Sequence, residues 1–168
     1  MNTSKLWLYR LVTSWLPETR CFGLKASLLR WCGARVGNNV RINSGAIMMG
    51  DGSLEIGDDV WIGAGCRISP VGGATIKIGS CCDLGPEVMI LTGSHIIDPQ
   101  GAHIGGNGIS RSVTIGDGSW LGARSTILPG VALPARTIVA AGAVVTRSID
   151  GEKSLVAGVP AETRKSYA

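Results

Sequence analysis

From Ile115 onward an aliphatic residue returns every six positions: Ile115, Leu121, Ile127, Leu133, Val139, Val145. The same spacing runs through shorter frames earlier in the chain: Val36, Ile42, Met48; then Ile56, Ile62, Ile68; then Ile78, Leu84, Ile90. The frame slips at residues 50–53 and 71–74, two glycine-containing stretches that read as loop insertions. A period of six fits neither a helix nor a simple alternating strand. It fits a short strand and a tight turn, repeated so that parallel strands stack from coil to coil. The residue four after each aliphatic is small or β-branched: Val60, Cys66, Cys82, Val88, Ser94, Ser119, Ser125, Val131, Thr137, Ala143. Aliphatic and small residue both face inward, and the glycine that often follows the aliphatic eases the corner. The expected body is a rod with one continuous core.

Composition supports one repeat domain rather than a low-complexity chain, because the 168 residues include 25 glycines and the hexad aliphatic is followed by one at Gly37, Gly57, Gly63, Gly79, Gly85, Gly116 and Gly122. Charge is unevenly divided. Residues 1–35 carry net +5 and the remainder net −1, so the body offers no basic surface for nucleic acid. Five cysteines, odd in number and without paired zinc spacing, argue against a disulfide framework and for a reducing compartment. No apolar stretch is long enough to span a bilayer. The opening residues lack a signal-peptide pattern, since Arg10 interrupts the apolar run. The expectation is a cytoplasmic protein. Its segment 1–35, basic, helical and bearing Trp7, Trp15 and Trp31, suits either capping of the rod's open end or peripheral contact with the cytoplasmic face of a membrane.

The residue five after each aliphatic points outward: Trp61, Arg67, Asp83, Met89, His95, Trp120, Thr126, Ile138, Val144. Several are large and apolar, and side-by-side partners would cover them; a three-sided rod suits a closed homotrimer. His95 occupies this slot where the pattern stops. Residues 96–112 then leave the rod before Val113 resumes it. A loop of this kind can wall a pocket between subunits, with a histidine at its base. Spacing alone equally allows an exposed turn histidine.

These hexads, spanning roughly residues 36–165, resemble the hexapeptide-repeat acyltransferases, and "TGSH" followed by an excursion resembles the catalytic segment of sugar O-acetyltransferases. The resemblance implies an all-β fold, a left-handed parallel β-helix over 36–160 with the loop 96–112, preceded by the helical segment 1–35 and followed by a tail at 161–168. It also implies an acetyl-CoA-dependent O-acetyltransferase with His95 as general base and no metal. The acceptor would be a sugar of a surface polysaccharide or of its lipid-linked or oligosaccharide precursor. Trp120, Gly122, Ala123, Ala141, Thr146 and Arg147 match the family's coenzyme A segment, and Arg164 and Lys165 its basic tail. Asp98, Trp61 and Arg67 are the acceptor-side candidates; Asp98, just before Pro99, equally suits a turn.

Two departures stand out. Glu162 falls where the family carries a basic residue, and the asparagine of small-sugar members falls by count near Gly65 and Cys66 here. The γ-class carbonic anhydrases share the rod but need three histidines, and only His95 and His103 exist. "GGNG" at 105–108 lacks the strand-to-helix context of a phosphate loop. N-acetylation of an amino-sugar nucleotide or other small acceptor, and a non-catalytic scaffold, are the alternative functions.

Overall fold

A computed structural model describes all residues, 1–168. Two helices, α1 (Thr3–Ser14) and α2 (Phe22–Trp31), precede five coils of three strands each. The first coil is β1 (Arg35–Val36), β2 (Arg41–Ile42) and β3 (Ile47–Met48); the second is β4 (Ser53–Ile56), β5 (Trp61–Ile62) and β6 (Arg67–Ser69). The third is β7 (Thr75–Ile78), β8 (Asp83–Leu84) and β9 (Met89–Leu91), after which β10 (Gly93–Ile97) and β11 (Gly105–Ser110) form a hairpin. The fourth is β12 (Val113–Ile115), β13 (Trp120–Leu121) and β14 (Thr126–Ile127); the fifth is β15 (Ala132–Leu133), β16 (Ile138–Val139) and β17 (Val144–Val145). β18 (Ser154–Gly158) and β19 (Ala161–Ser166) end the chain.

Stacking these coils produces three parallel sheets, a β-solenoid with faces A (β1-β4-β7-β12-β15), B (β2-β5-β8-β13-β16-β18) and C (β3-β6-β9-β14-β17). The hexad aliphatics align in register along each face. Val36, Ile56, Ile78, Ile115 and Leu133 form one column on face A. All the column residues are buried except the half-buried Val36, and they belong to one core. The small inward slot is likewise buried at every position but Ser94.

Ser94 is exposed because the chain leaves the coil two residues earlier than the hexad count implies. Thr92 takes the buried slot instead. Its hydroxyl accepts from the Val71 amide at 2.7 Å and donates to the Ser69 carbonyl at 3.3 Å, closing the coil. The excursion is not an irregular loop: β10 and β11 pair antiparallel.

At the near end, Leu6 and Tyr9 of α1 and Leu29 of α2 join the core above the first coil. Arg30 donates from Nε to the Val36 carbonyl and from Nη2 to that of Gly37, at 2.8 and 2.6 Å, satisfying an edge that has no further strand. The segment between the helices is held by Lys25, whose buried Nζ donates to the Pro17 and Glu18 carbonyls. At the far end, residues 161–166 are no free tail. They run antiparallel to β18 as β19, while Ser148 and Ile149 cover the outer edge of β15 through Ala132.

Candidate functional site

Two corners of the solenoid and one hairpin carry the residues of interest. Between faces B and C the turns begin Gly63, Gly85, Gly122 and Ala140, one above another. A Cβ on Gly85 would lie 2.8 Å from the Ala123 amide nitrogen, and one on Gly122 would lie 2.6 Å from that of Ala141. Backbone therefore packs on backbone, so only glycine fits. Gly122, Ala123 and Ala141 are brought together here, with the Gly142 amide donating to the Ala123 carbonyl at 2.9 Å. The same corner holds Glu87 and Arg124 at positive φ, and Arg124 donates to Glu87 at 2.7 Å. That ion pair holds the Glu87 carboxyl below its ordinary range.

The corner between faces C and A carries the hairpin on the third coil and Thr146 and Arg147 on the fifth. Strands two coils apart are separated by about 9–10 Å. Arg147, with Glu162 and Thr163, borders a depression of about 320 Å³. Glu162 lies 3.6 Å from the Arg164 guanidinium, so the acidic residue that departs from the family pattern partly neutralises a cation of the basic tail. Lys165 sits with its ammonium 4.7 Å from the centre of the Tyr167 ring.

On face B, Trp120 is exposed, in register between Asp83 and Ile138. It lines a shallow groove of about 470 Å³ with Arg136, Ile138, Lys153 and Tyr167. The two cations and the tyrosine escaped the sequence reading because they come from separate coils and the end of the chain, with no local signature.

His95 lies on β10, exposed, opposite Gly108. A Cβ on Gly108 would meet nothing within 4 Å, and one on Gly105 would approach only the near atoms of His95 itself, at 3.9 Å. The imidazole therefore stands on an open strand surface that no facing side chain covers. Asp98 belongs to the turn of the hairpin: its Oδ1 accepts from the Gln100 amide at 3.2 Å and its backbone amide donates to the Ile104 carbonyl. Arg67 is exposed on face C, paired in register with Met89 of the strand that leads into the hairpin. Trp61 lies elsewhere. Expected on the acceptor side, it sits on face B with its ring against Phe22 of α2 at 5.8 Å and the Arg41 guanidinium at 5.3 Å. The helical cap takes it up instead.

Cys66 and Cys82 are buried beneath this surface, and burial pushes both thiols up to about 11. Each Sγ–H faces a backbone carbonyl, Gly85 and Gly116 respectively, as packing residues do. No group of three or more His, Cys, Asp or Glu side chains is arranged to hold a metal ion.

A solenoid of hexads with a hairpin thrust from its third coil defines a class. A family model for the hexapeptide repeat of succinyl-transferase matches residues 112–147, the fourth and fifth coils of the solenoid. Among individual proteins, it is 29% identical over 138 residues to WcaF of Escherichia coli (strain K12), provisionally assigned as a colanic acid biosynthesis acetyltransferase; the match covers 82% of this chain and 72% of that protein. The hexapeptide-repeat acetyltransferase VCA0836 of Vibrio cholerae, solved with acetyl coenzyme A, superposes with a TM-score of 0.72 at 23% identity over 98% of this chain and 86% of that one. The N-acyltransferase AntD of Bacillus cereus, solved with dTDP and 3-hydroxybutyryl-CoA, superposes with a TM-score of 0.70 at 23% identity over 82% and 74%.

Proposed function

We propose that the protein transfers acetyl from acetyl-CoA to a hydroxyl of a sugar belonging to a surface polysaccharide or its lipid-linked or oligosaccharide precursor. The observation that carries this reading is the placement of His95, exposed on a hairpin opposite a glycine and on the same corner as Thr146 and Arg147. A thioester reaching from the fifth coil toward the third would run along that corner, and an acceptor would meet it over the bare strand surface at Gly108. The similarity to a colanic acid biosynthesis acetyltransferase supports a polysaccharide acceptor.

In this reading the His95 imidazole accepts the proton of the acceptor hydroxyl as its oxygen attacks the thioester carbonyl. The tetrahedral oxyanion collapses to the ester, and the departing thiolate takes the proton from His95, so no acyl-enzyme forms. Such an oxyanion needs N–H donors, for which backbone amides are the usual source. Arg147 and Lys165, at the far end of the rod, suit the phosphates of the coenzyme.

One rod does not enclose this site. Trp120 faces outward from B, Gly122, Ala123 and Ala141 from the B/C corner, and His95 from the C/A corner. A homotrimer in which the corner of one copy meets a face of the next would gather them. The test is acetyl transfer from acetyl-CoA to lipid-linked oligosaccharides and, in parallel, to amino-sugar nucleotides, with the native mass measured by light scattering. Acetylation of the nucleotide amines alone would replace this reading with N-acetylation. A monomeric active enzyme would remove the shared site.

A further inference from the structure

Helix α1 is apolar on two opposite faces. Leu6, Tyr9 and Thr13 turn into the rod and are buried. Trp7, Leu8, Leu11 and Val12, continued by the C-cap Trp15, form a second stripe that faces away from it. Trp7 is 65% exposed and Trp15 84%, a costly display for two large rings in water. The stripe continues onto α2. A groove of about 260 Å³ between the helices is lined only by Leu8, Tyr9, Val12, Leu28 and Trp31. On the other flank, a cleft of about 540 Å³ runs from Trp7 and Arg10 to Ser44 on the first coil.

The charge around this surface is predominantly positive. Residues 1–35 hold six cations and a single acid, Glu18. The four ion pairs of the chain are Arg35–Glu55, Arg41–Asp59, Arg124–Glu87 and Arg164–Glu162. Lys5, Arg10, Arg20 and Arg30 enter none of them. Lys5 and Arg30 donate to backbone carbonyls, which satisfies hydrogen bonds without cancelling charge. A second copy of the same patch would bring cations against cations. An anionic surface with an apolar interior answers both features, and tryptophan is the side chain that best straddles such a boundary.

We infer that the exposed face of α1 and α2 is a docking surface for a bilayer containing anionic lipid, with Trp7, Leu11 and Trp15 entering the interface and Arg10 and Arg20 contacting headgroup phosphates. No helix of the chain is long and apolar enough to cross a membrane, so this contact is peripheral. The docking surface stands on the helical cap alone and is independent of any catalytic role of His95.

The test is co-sedimentation of the full-length protein with vesicles of phosphatidylcholine, with and without roughly 30% phosphatidylglycerol. Binding is expected only to the anionic vesicles, weakening as salt rises. The double variant Trp7→Ser/Trp15→Ser should bind at least about tenfold more weakly, with unchanged thermal melting. Should that variant prove unstable, quenching of wild-type tryptophan emission by brominated lipid in the anionic vesicles gives the same answer. Protein left in the supernatant at low salt, or wild-type emission untouched by brominated lipid, overturns the inference. So does a double variant that binds as well as wild type. A change of native mass on mutating the stripe, without any vesicle binding by wild type, would show it to be a protein–protein contact instead.

Discussion

His95 stands directly across the β10–β11 ladder from Gly108, and the glycine leaves one flank of the imidazole bare. Across an antiparallel pair the facing Cβ positions lie only about 4.5–5.5 Å apart, so almost any other residue at 108 would lean on the ring.

Replacing His95 by alanine is expected to lower kcat by about 10²–10⁴, the usual contribution of a positioned general base. Because the side chain is exposed, melting temperature and coenzyme A affinity by calorimetry should match wild type. Undiminished turnover would remove His95 from the chemistry.

Gly108→Val separates the acceptor from the coenzyme. A Cβ there enters open space, so the fold should tolerate it. The new side chain would occupy the surface beside His95. Steady-state kinetics should show the acceptor KM raised by at least about tenfold, as expected when one buried contact's worth of free energy is lost, with the acetyl-CoA KM little changed.

Two glycine-to-alanine changes should have opposite signs. At Gly122 the added methyl would meet the Ala141 nitrogen at 2.6 Å and the Val139 carbonyl oxygen at 2.8 Å, both backbone. The coils must part, at a cost of about 1–3 kcal/mol. At Gly23, in α2, nothing lies within 4 Å, and alanine should stabilise by up to about 1 kcal/mol. Urea unfolding of both variants tests the pair together.

Thiol titration should distinguish the cysteines by burial. Cys21 and Cys81 are exposed and should react promptly with an aromatic disulfide near pH 8. Cys32, Cys66 and Cys82 are buried, and burial raises all three thiols, so they should react only as fast as the protein opens. Rapid modification of more than two sites would contradict the packing described.

Lys25 ties stability to alkaline pH. Burial lowers its ammonium below the ordinary lysine range, so between that folded value and the unfolded value of about 10.4 the unfolded chain binds more protons. Stability therefore gains from this group as pH rises through that window. Lys25→Met should remove that gain and cost about 1.5–3 kcal/mol at neutral pH through the bonds lost to Pro17 and Glu18. Denaturant melts of both proteins across the alkaline range measure the difference.

The columns of the solenoid were readable because each interior position faces the same neighbours in the next coil, which forces the same residue type at a fixed interval. The exit from the third coil was misread at Ser94. The residue that ends the coil, Thr92, does so through hydroxyl bonds to the Val71 and Ser69 backbone, and no period reports such bonds. β11 was hidden by its glycines, which have little strand propensity of their own. They are held extended only by pairing with β10. β19 was hidden for a related reason: apart from Ala161 its residues are exposed, so no apolar alternation marks it. The departure of the chain from the rod beside His95 was legible from the interruption of the period there. The open flank at Gly108 was not, because an absent side chain leaves no mark beyond a loop-like composition.

A pile of near-identical rungs contains no instruction for how many there should be, and an uncovered final rung invites the next molecule to continue the pile. Here the two stoppers differ: a helix that plugs the first rung's carbonyls with the Arg30 guanidinium, and a returning strand, β19, laid antiparallel on the last. Their mismatch works against end-to-end polymerisation and makes the rod of the molecule a ruler of set length. Rungs inserted between the stoppers would lengthen that ruler while leaving both ends sealed.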